Sequence, residues 1–178
     1  MRGPGSWVLR PASWFLAFAS VASLFVLPAV ASAQKLVIVV RHAERADGGS
    51  MSPNAQPDPL LSKEGVARAQ RLASMLAESG IKAVYATEYH RTQDTAAPIA
   101  KKLGLQVQTT HKAVDVPGLV AELKAQHAND VVLLVGHSNS LPLVIKALGG
   151  PAITIAEEEY DAIYFLVPAT GTLSKIRY

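Results

Sequence analysis

Apolar and polar positions along the chain fall into two alternating regimes. Three short apolar runs, Leu36 to Val40, Ala83 to Ala86 and Val131 to Val135, each stop abruptly at polar or charged residues. Continuous runs of that length, rich in Val, Ile and Leu, predict strands buried on both faces of a parallel sheet. Between them the spacing turns helical. Leu60-Leu61-Ser62 opens a helix in which Ser62 can cap, Glu64 suits the positive N-terminus, and Val66, Ala69, Leu72, Ala73 and Leu76 recur at helical intervals, with Gly80 as its stop. A second helix is predicted from about Gln93 to Leu103, ended by Gly104, and a short strand over Leu105 to Thr109. Val116-Pro117-Gly118 introduces a helix to about His127, Asn129-Asp130 turns the chain, and a further helix starts at Ser140 or Leu141, with Pro142 tolerated in its first turn and Gly149-Gly150 closing it. The tail predicts two edge strands, Ala162 to Val167 and Thr172 to Ile176, joined by a turn at Pro168 to Gly171. Strands alternating with helices make an α/β domain, a three-layer sandwich around a mainly parallel central sheet, without internal repeats.

The first thirty-three residues follow neither pattern. Arg2 and Arg10 precede an apolar stretch from about Trp14 to Val30 and then Ala31-Ser32-Ala33. A basic region, an apolar region and an Ala-x-Ala site predict a secretory signal peptide, so residues 1–33 are set apart from a domain spanning 34–178, and an exported, periplasmic or secreted location is expected. The rival is an uncleaved anchor. No later apolar run reaches the ~20 residues that span a bilayer, so no membrane association is expected after cleavage. The formal charge of +3 also changes meaning, because without Arg2 and Arg10 fifteen basic residues face fourteen acidic ones. The arginines are spread singly among strand ends rather than gathered in a stripe, which argues against nucleic acid as a partner. The chain has no cysteine, which excludes disulfides, thiolate metal sites and cysteine-phosphatase chemistry.

Candidate chemistry sits where the strands stop. Open α/β sheets bind ligands at the carboxyl ends of their strands. The first run ends in Arg41-His42-Ala43-Glu44-Arg45, the second leads through Thr87-Glu88-Tyr89-His90 to Arg91, and the third ends in Gly136-His137-Ser138. Guanidinium groups present planar forks matched to phosphate oxygens, and an imidazole among them is a proton carrier or a nucleophile. Together the three segments resemble the histidine phosphatase superfamily, the phosphoglycerate-mutase-like proteins. Arg41-His42-Ala43-Glu44 is similar to its Arg-His-Gly/Ala-Glu signature, Tyr85 to Ala96 to its Tyr-Ser-Ser-x-x-x-Arg-Thr-x-x-Thr-Ala segment, and Gly136-His137 to its second-histidine motif.

The resemblance implies His42 as a nucleophile that forms a phosphohistidine; Arg41, Arg45, Arg91 and His137 can supply donors to the phosphoryl group from separate segments, Arg45 being alternatively a solvated base at the loop mouth. Leaving oxygens need a proton, and two carboxyl groups are candidates: Asp115, in the loop where the superfamily usually brings its acid, and Glu88, three residues before Arg91. Glu44 is expected to orient a neighbouring side chain rather than to be that acid. No cofactor and no metal are expected, since the arginines would repel a cation from His42, Glu44 and His137. Departures from the mutase and acid-phosphatase patterns, Ala43-Glu44-Arg45 after the nucleophile and Ser138 after the second histidine, point to the small single-domain members. The expected activity is that of an exported phosphatase acting on phosphomonoesters or phosphohistidine, with a small phosphorylated substrate or a phosphoprotein as partner. A phosphoglycerate-type mutase and a non-catalytic anion-binding protein are the alternatives. The loop from Ala46 to Pro59, rich in Gly, Pro, Asn and Asp, is expected over the site. His90, His111 and His127 are expected at the surface, Glu157-Glu158-Glu159 as a solvated acidic turn, and Ser138 lacks the Gly-x-Ser-x-Gly context of a serine nucleophile.

Overall fold

The computed structural model describes residues 34–49 and 57–178, together with Met1 and Gly3. The expected signal segment and residues 50–56 of the long loop lie outside the described residues. Residues 34–49 and 57–178 belong to one compact unit, Ala31–Tyr178.

Six strands form one sheet: β1 (Leu36–Arg41), β2 (Ile81–Ala86), β3 (Val107–Gln108), β4 (Val131–Gly136), β5 (Ala162–Val167) and β6 (Thr172–Arg177). Their spatial order is β3-β2-β4-β1-β5-β6, parallel from β3 to β1 and antiparallel from β1 through β5 to β6. Parallel neighbours need a crossover, and helices α1 (Lys63–Met75), α2 (His90–Leu103) and α3 (Val116–Gln126) supply it, followed by α4 (Leu141–Ala147). Because side chains alternate along a strand, each central strand serves two cores. Val37, Val39, Tyr85, Val132 and Leu134 pack with Leu123, Val144 and Ile145 of α3 and α4. Ile38, Val40, Val84, Leu133 and Val135 pack on the other face with Leu72, Ala96 and Ile99 of α1 and α2. Three layers result, and β1 and β4, covered on both sides, read as unbroken apolar runs.

Boundaries differ from the sequence pattern where side chains intervene. Ser62 caps α1 by accepting from the Gly65 amide, but the helix ends at Met75 and Gly80 closes the turn that follows. Helix α2 begins at His90, earlier than periodicity suggests, because Asp58 accepts the His90 amide that a helix start leaves free. Strand β3 shrinks to two residues, and the rest of the expected strand becomes an irregular segment leading to α3.

The topology sets up one functional edge. β1, β2 and β4 run parallel, so Arg41, Ala86 and Gly136 end at the same side of the sheet. Antiparallel β5 starts where β1 ends, with Ile163 opposite Val40, and brings the preceding 156–161 segment to that edge as well.

Candidate active site

His42 follows the last residue of β1, and its amide continues the parallel ladder by donating to the Gly136 carbonyl (2.9 Å). Its Nδ1 lies 2.8 Å from the Ala43 carbonyl oxygen. A carbonyl can only accept, so Nδ1 carries the hydrogen and Nε2 keeps its lone pair. The Ala43 amide in turn donates to Thr95 Oγ1 (2.9 Å), which donates to the Arg91 carbonyl (2.7 Å). Buried Thr95 of α2 thereby fixes the turn that carries His42.

His137, the first residue after β4, places its ring 5.3 Å from that of His42, edge to face. Its Nε2 is 3.0 Å from Thr87 Oγ1 at the end of β2. Both rings are nearly buried, and burial lowers both pKa values, that of His42 to about 4 and that of His137 to about 3. For His42 the bond to Ala43 opposes the shift while Arg41, Arg91 and Arg45 add to it; for His137 its histidine neighbour, Arg91 and Arg41 add to it. At neutral pH both are uncharged.

An open pocket of ≈ 270 Å³ brings His42, His137, Arg41, Arg45 and Arg91 together. Arg41 stacks over Tyr160 at 4.2 Å, donates to the backbone carbonyls of Ala156 and Glu157, and pairs with the Glu157 carboxylate at 2.8 Å. Arg45 pairs with Asp47 (2.6 Å), and Arg91 with Asp58 (3.2 Å) while lying over the Tyr89 ring. In all three arginines Nε is buried and has no hydrogen-bond partner among the described residues. Three guanidinium groups converging on one pocket gather the positive charge and planar donors that suit an oxyanion. Of the long loop expected over the site, Asp47 and Asp58 do reach its arginines.

The other sequence-predicted residues lie elsewhere. Glu44 grips Arg68 of α1 in a two-pronged pair (Nη2 to Oε1 2.6 Å, Nε to Oε2 2.9 Å), and Arg68 also donates to the Tyr178 carbonyl. Burial works against its charge, but Arg68 holds the Glu44 carboxyl below its ordinary value. What Glu44 orients is a structural arginine, outside the pocket. Asp115 is not in the pocket either. It caps α3, accepting from the Gly118 amide (3.0 Å), and its other oxygen meets His111 Nδ1 (2.7 Å), which with that cap bond keeps its pKa low. Glu88 accepts the Ala113 amide (2.8 Å). Asp115 is thus engaged by the first turn of α3 and by His111, and Glu88 by the backbone of the segment between β3 and α3.

Several participants escaped the sequence reading. Glu157 lines the pocket, with one carboxylate oxygen on Arg41 and the other accepting from Ser138 Oγ, and Glu159 takes the Tyr164 hydroxyl and Lys175. Glu157 and Glu158 do form an exposed turn, as expected, but the carboxylates of Glu157 and Glu159 are tied to partners where the chain returns to the sheet edge before β5. Tyr89, adjacent to the quoted Arg91 segment, packs its ring edge to face with His137 at 5.1 Å. His111 and His127 are largely buried and hydrogen-bonded, unlike His90, which is exposed.

Residues 37–116 match the family model of the histidine phosphatase superfamily (branch 1). The uncharacterized protein Rv0525 of Mycobacterium tuberculosis is 41% identical over 73 residues, which cover 41% of this chain and 36% of the relative's length. Among solved structures, the protein histidine phosphatase SixA complexed with tungstate superimposes with a TM-score of 0.62 at 19% identity, covering 80% of this chain and 96% of that one. The mycobacterial glucosyl-3-phosphoglycerate phosphatase Rv2419c gives 0.59 at 16% identity, covering 81% and 98%. At such identities the likeness to solved structures is one of fold.

Proposed function

We propose that this domain, residues 37–116 of which match the family model of the histidine phosphatase superfamily, removes phosphate from phosphomonoesters or phosphohistidine through a phosphoryl group carried on Nε2 of His42. The observation that carries the proposal is a neutral His42, its Nδ1 tied to Ala43, in a pocket lined by three arginines. Tungstate, held by the structural neighbour SixA, is an oxyanion like phosphate.

In this reading the Nε2 lone pair attacks phosphorus, the bond from phosphorus to the leaving atom breaks, and water later displaces Nε2 to release inorganic phosphate. Arg41, Arg45 and Arg91 hold the oxygens, and His137 faces them from β4. Such chemistry is mainly positioning and electrostatics. A mutase is disfavoured because, among the described residues, no cationic side chain beyond these arginines lines the pocket to take a second phosphoryl group. A purely anion-binding role leaves the tethered tautomer of His42 without a use.

The proton donor narrows the substrate. Glu157 is the one carboxylate lining the pocket among the described residues, and both its oxygens accept hydrogen bonds. With the one lining carboxylate among the described residues already engaged by Arg41 and Ser138, the site suits leaving groups that depart with little help. A phosphoramidate such as phosphohistidine brings its own basic ring nitrogen, and a phenolate is stable as the anion. The protein should therefore cleave p-nitrophenyl phosphate and phosphohistidine peptides well and simple alkyl phosphates slowly, by something like the ~10²–10⁴-fold that general acid catalysis contributes. Rapid turnover of an alkyl phosphate, lost selectively in Asp115→Asn or Glu88→Gln, would restore one of those residues as the acid.

Export remains part of the proposal on the strength of the Arg2, Arg10 and Ala31-Ser32-Ala33 pattern. Intact mass of the protein from its native host should correspond to a chain beginning at Gln34; a species retaining residues 14–30 would indicate an anchor.

A further inference from the structure

The segment between β3 and α3 forms one wall of the pocket through Ala113 and Val114. Packing alone does not hold it there. Val114 is 85% exposed, and behind the segment lies a cavity of ≈ 30 Å³ lined in part by Tyr85, Thr87, His111, Asp115 and Ser140. What holds it is a set of polar ties. Glu88 takes the Ala113 amide, and Asp115 caps α3. Between them stands His111, whose Nδ1 is 2.7 Å from Asp115 and whose Nε2 is 2.6 Å from Glu122.

Carboxylates accept hydrogen bonds, so a ring with both nitrogens on carboxylate oxygens carries both hydrogens and is an imidazolium. Glu122 is itself fixed: its other oxygen takes the hydroxyl of Tyr85, a buried residue of β2, and Thr110 lies 3.4 Å from the oxygen that His111 uses. Behind Tyr85 stands His127, paired with Asp130. The charged groups facing His111 are thus Asp115 and Glu122, with Lys112 adjoining in sequence and Glu88 one tie away. Burial works against the imidazolium, but the bonds to Asp115 and Glu122 outweigh it and raise the pKa above the ordinary histidine value.

We infer that His111, clamped between Asp115 and Glu122, is a positioning residue that sets the Ala113–Val114 wall and makes contact with the substrate's leaving group depend on its proton. The inference rests on the phosphatase reading for its consequence in catalysis. Among the described residues the arginines that hold phosphate make their hydrogen bonds elsewhere, to Ala156, Glu157, Asp47 and Asp58, so phosphate binding itself should be independent of this segment. When the proton leaves, one ring nitrogen turns a lone pair toward a carboxylate, and Asp115 and Glu122 lose the cation between them. The tie between the wall and α3 then opens.

The test is steady-state kinetics with p-nitrophenyl phosphate from about pH 6 to about pH 9 on the full domain, its His111→Asn variant and its His111→Lys variant, with inorganic phosphate as competitive inhibitor. At the acid end KM of His111→Asn should exceed that of the unmodified protein by about tenfold, the scale of one charge-assisted hydrogen bond, and the ratio should fall toward one as pH rises. His111→Lys, which keeps a cation between the carboxylates, should hold the low KM at the alkaline end. The inhibition constant of phosphate should be the same in all three proteins at each pH. A KM ratio that does not change with pH, or a phosphate constant that moves with KM, overturns the inference. Should the protein prove inactive, the phosphatase reading fails separately. The amide resonances of Ala113 and Val114 then decide: they should titrate together with the His111 ring in the unmodified protein and not in His111→Asn, and titration in both, or in neither, contradicts the inference.

Discussion

A histidine that attacks phosphorus has to be neutral and to present one chosen nitrogen. In His42 burial supplies the first condition, with a pKa near 4, and the Ala43 carbonyl the second. The arginines pose the opposite problem, since an empty cluster of guanidinium groups repels itself. Asp47, Asp58 and Glu157 each neutralise one of them. Of these only Glu157 lines the pocket, and it is 73% exposed at the side chain. An arriving phosphate would meet its charge directly. Glu157→Gln should therefore tighten competitive inhibition by inorganic phosphate, by a few-fold given how solvent screens an exposed pair. Weaker inhibition in that variant would mean that Glu157 is needed to hold Arg41 in place. At this scale the sequence disclosed Arg41, His42 and His137, because a strand end has one address on the sheet, and Arg91, because it opens the helix that follows β2. Glu157, Tyr160 and Asp58 come from loops, and nothing local in their neighbours says where those loops return.

The same distinction governs the elements. Continuous apolar runs identified β1, β2 and β4, and cap residues such as Ser62 marked helix starts, because burial on both faces and orphaned amides are properties of short segments. The tail strands at Ala162 and Thr172 were visible, but β5 proves to lie inside the sheet between β1 and β6, and its antiparallel direction, which was not visible, is what delivers the 156–161 segment to the site. Asp115 illustrates the limit from the other side. Its position after β3 suggested a proton donor, yet a carboxylate just before a helix start satisfies amides more readily than it reaches across a pocket, and here it meets Gly118 and His111. Glu44 was expected to orient a neighbour, and its partner, Arg68, lies one helix away in sequence. Close approach is also specific: a Cβ at Gly65 would stand 2.3 Å from the Glu44 carbonyl oxygen, so only glycine lets α1 abut the turn after the nucleophile.

For the whole molecule, the two buried histidines link stability to pH. Their folded pKa values lie below the unfolded value of ~6.5, so on acidification the unfolded chain takes up protons that the folded chain refuses. Stability is full above that value and should fall by a few kcal/mol between about pH 6.5 and pH 4, less than additively because the two rings face one another. His111 acts in the opposite sense, its stabilisation being lost as pH rises through its raised pKa. Urea unfolding midpoints should decline from about pH 7 to about pH 5, and less steeply in His42→Asn. Identical slopes would mean that His42 is not held neutral by the fold. The central claim, that His42 carries the phosphoryl group, is tested most directly by acid-free quenching during turnover of a labelled aryl phosphate, followed by peptide mapping. Label should be found on the peptide bearing His42, stable in alkali and lost in acid, and should vanish in a folded His42→Ala protein; turnover by that variant at the unmodified rate, or label on another residue, would contradict the account.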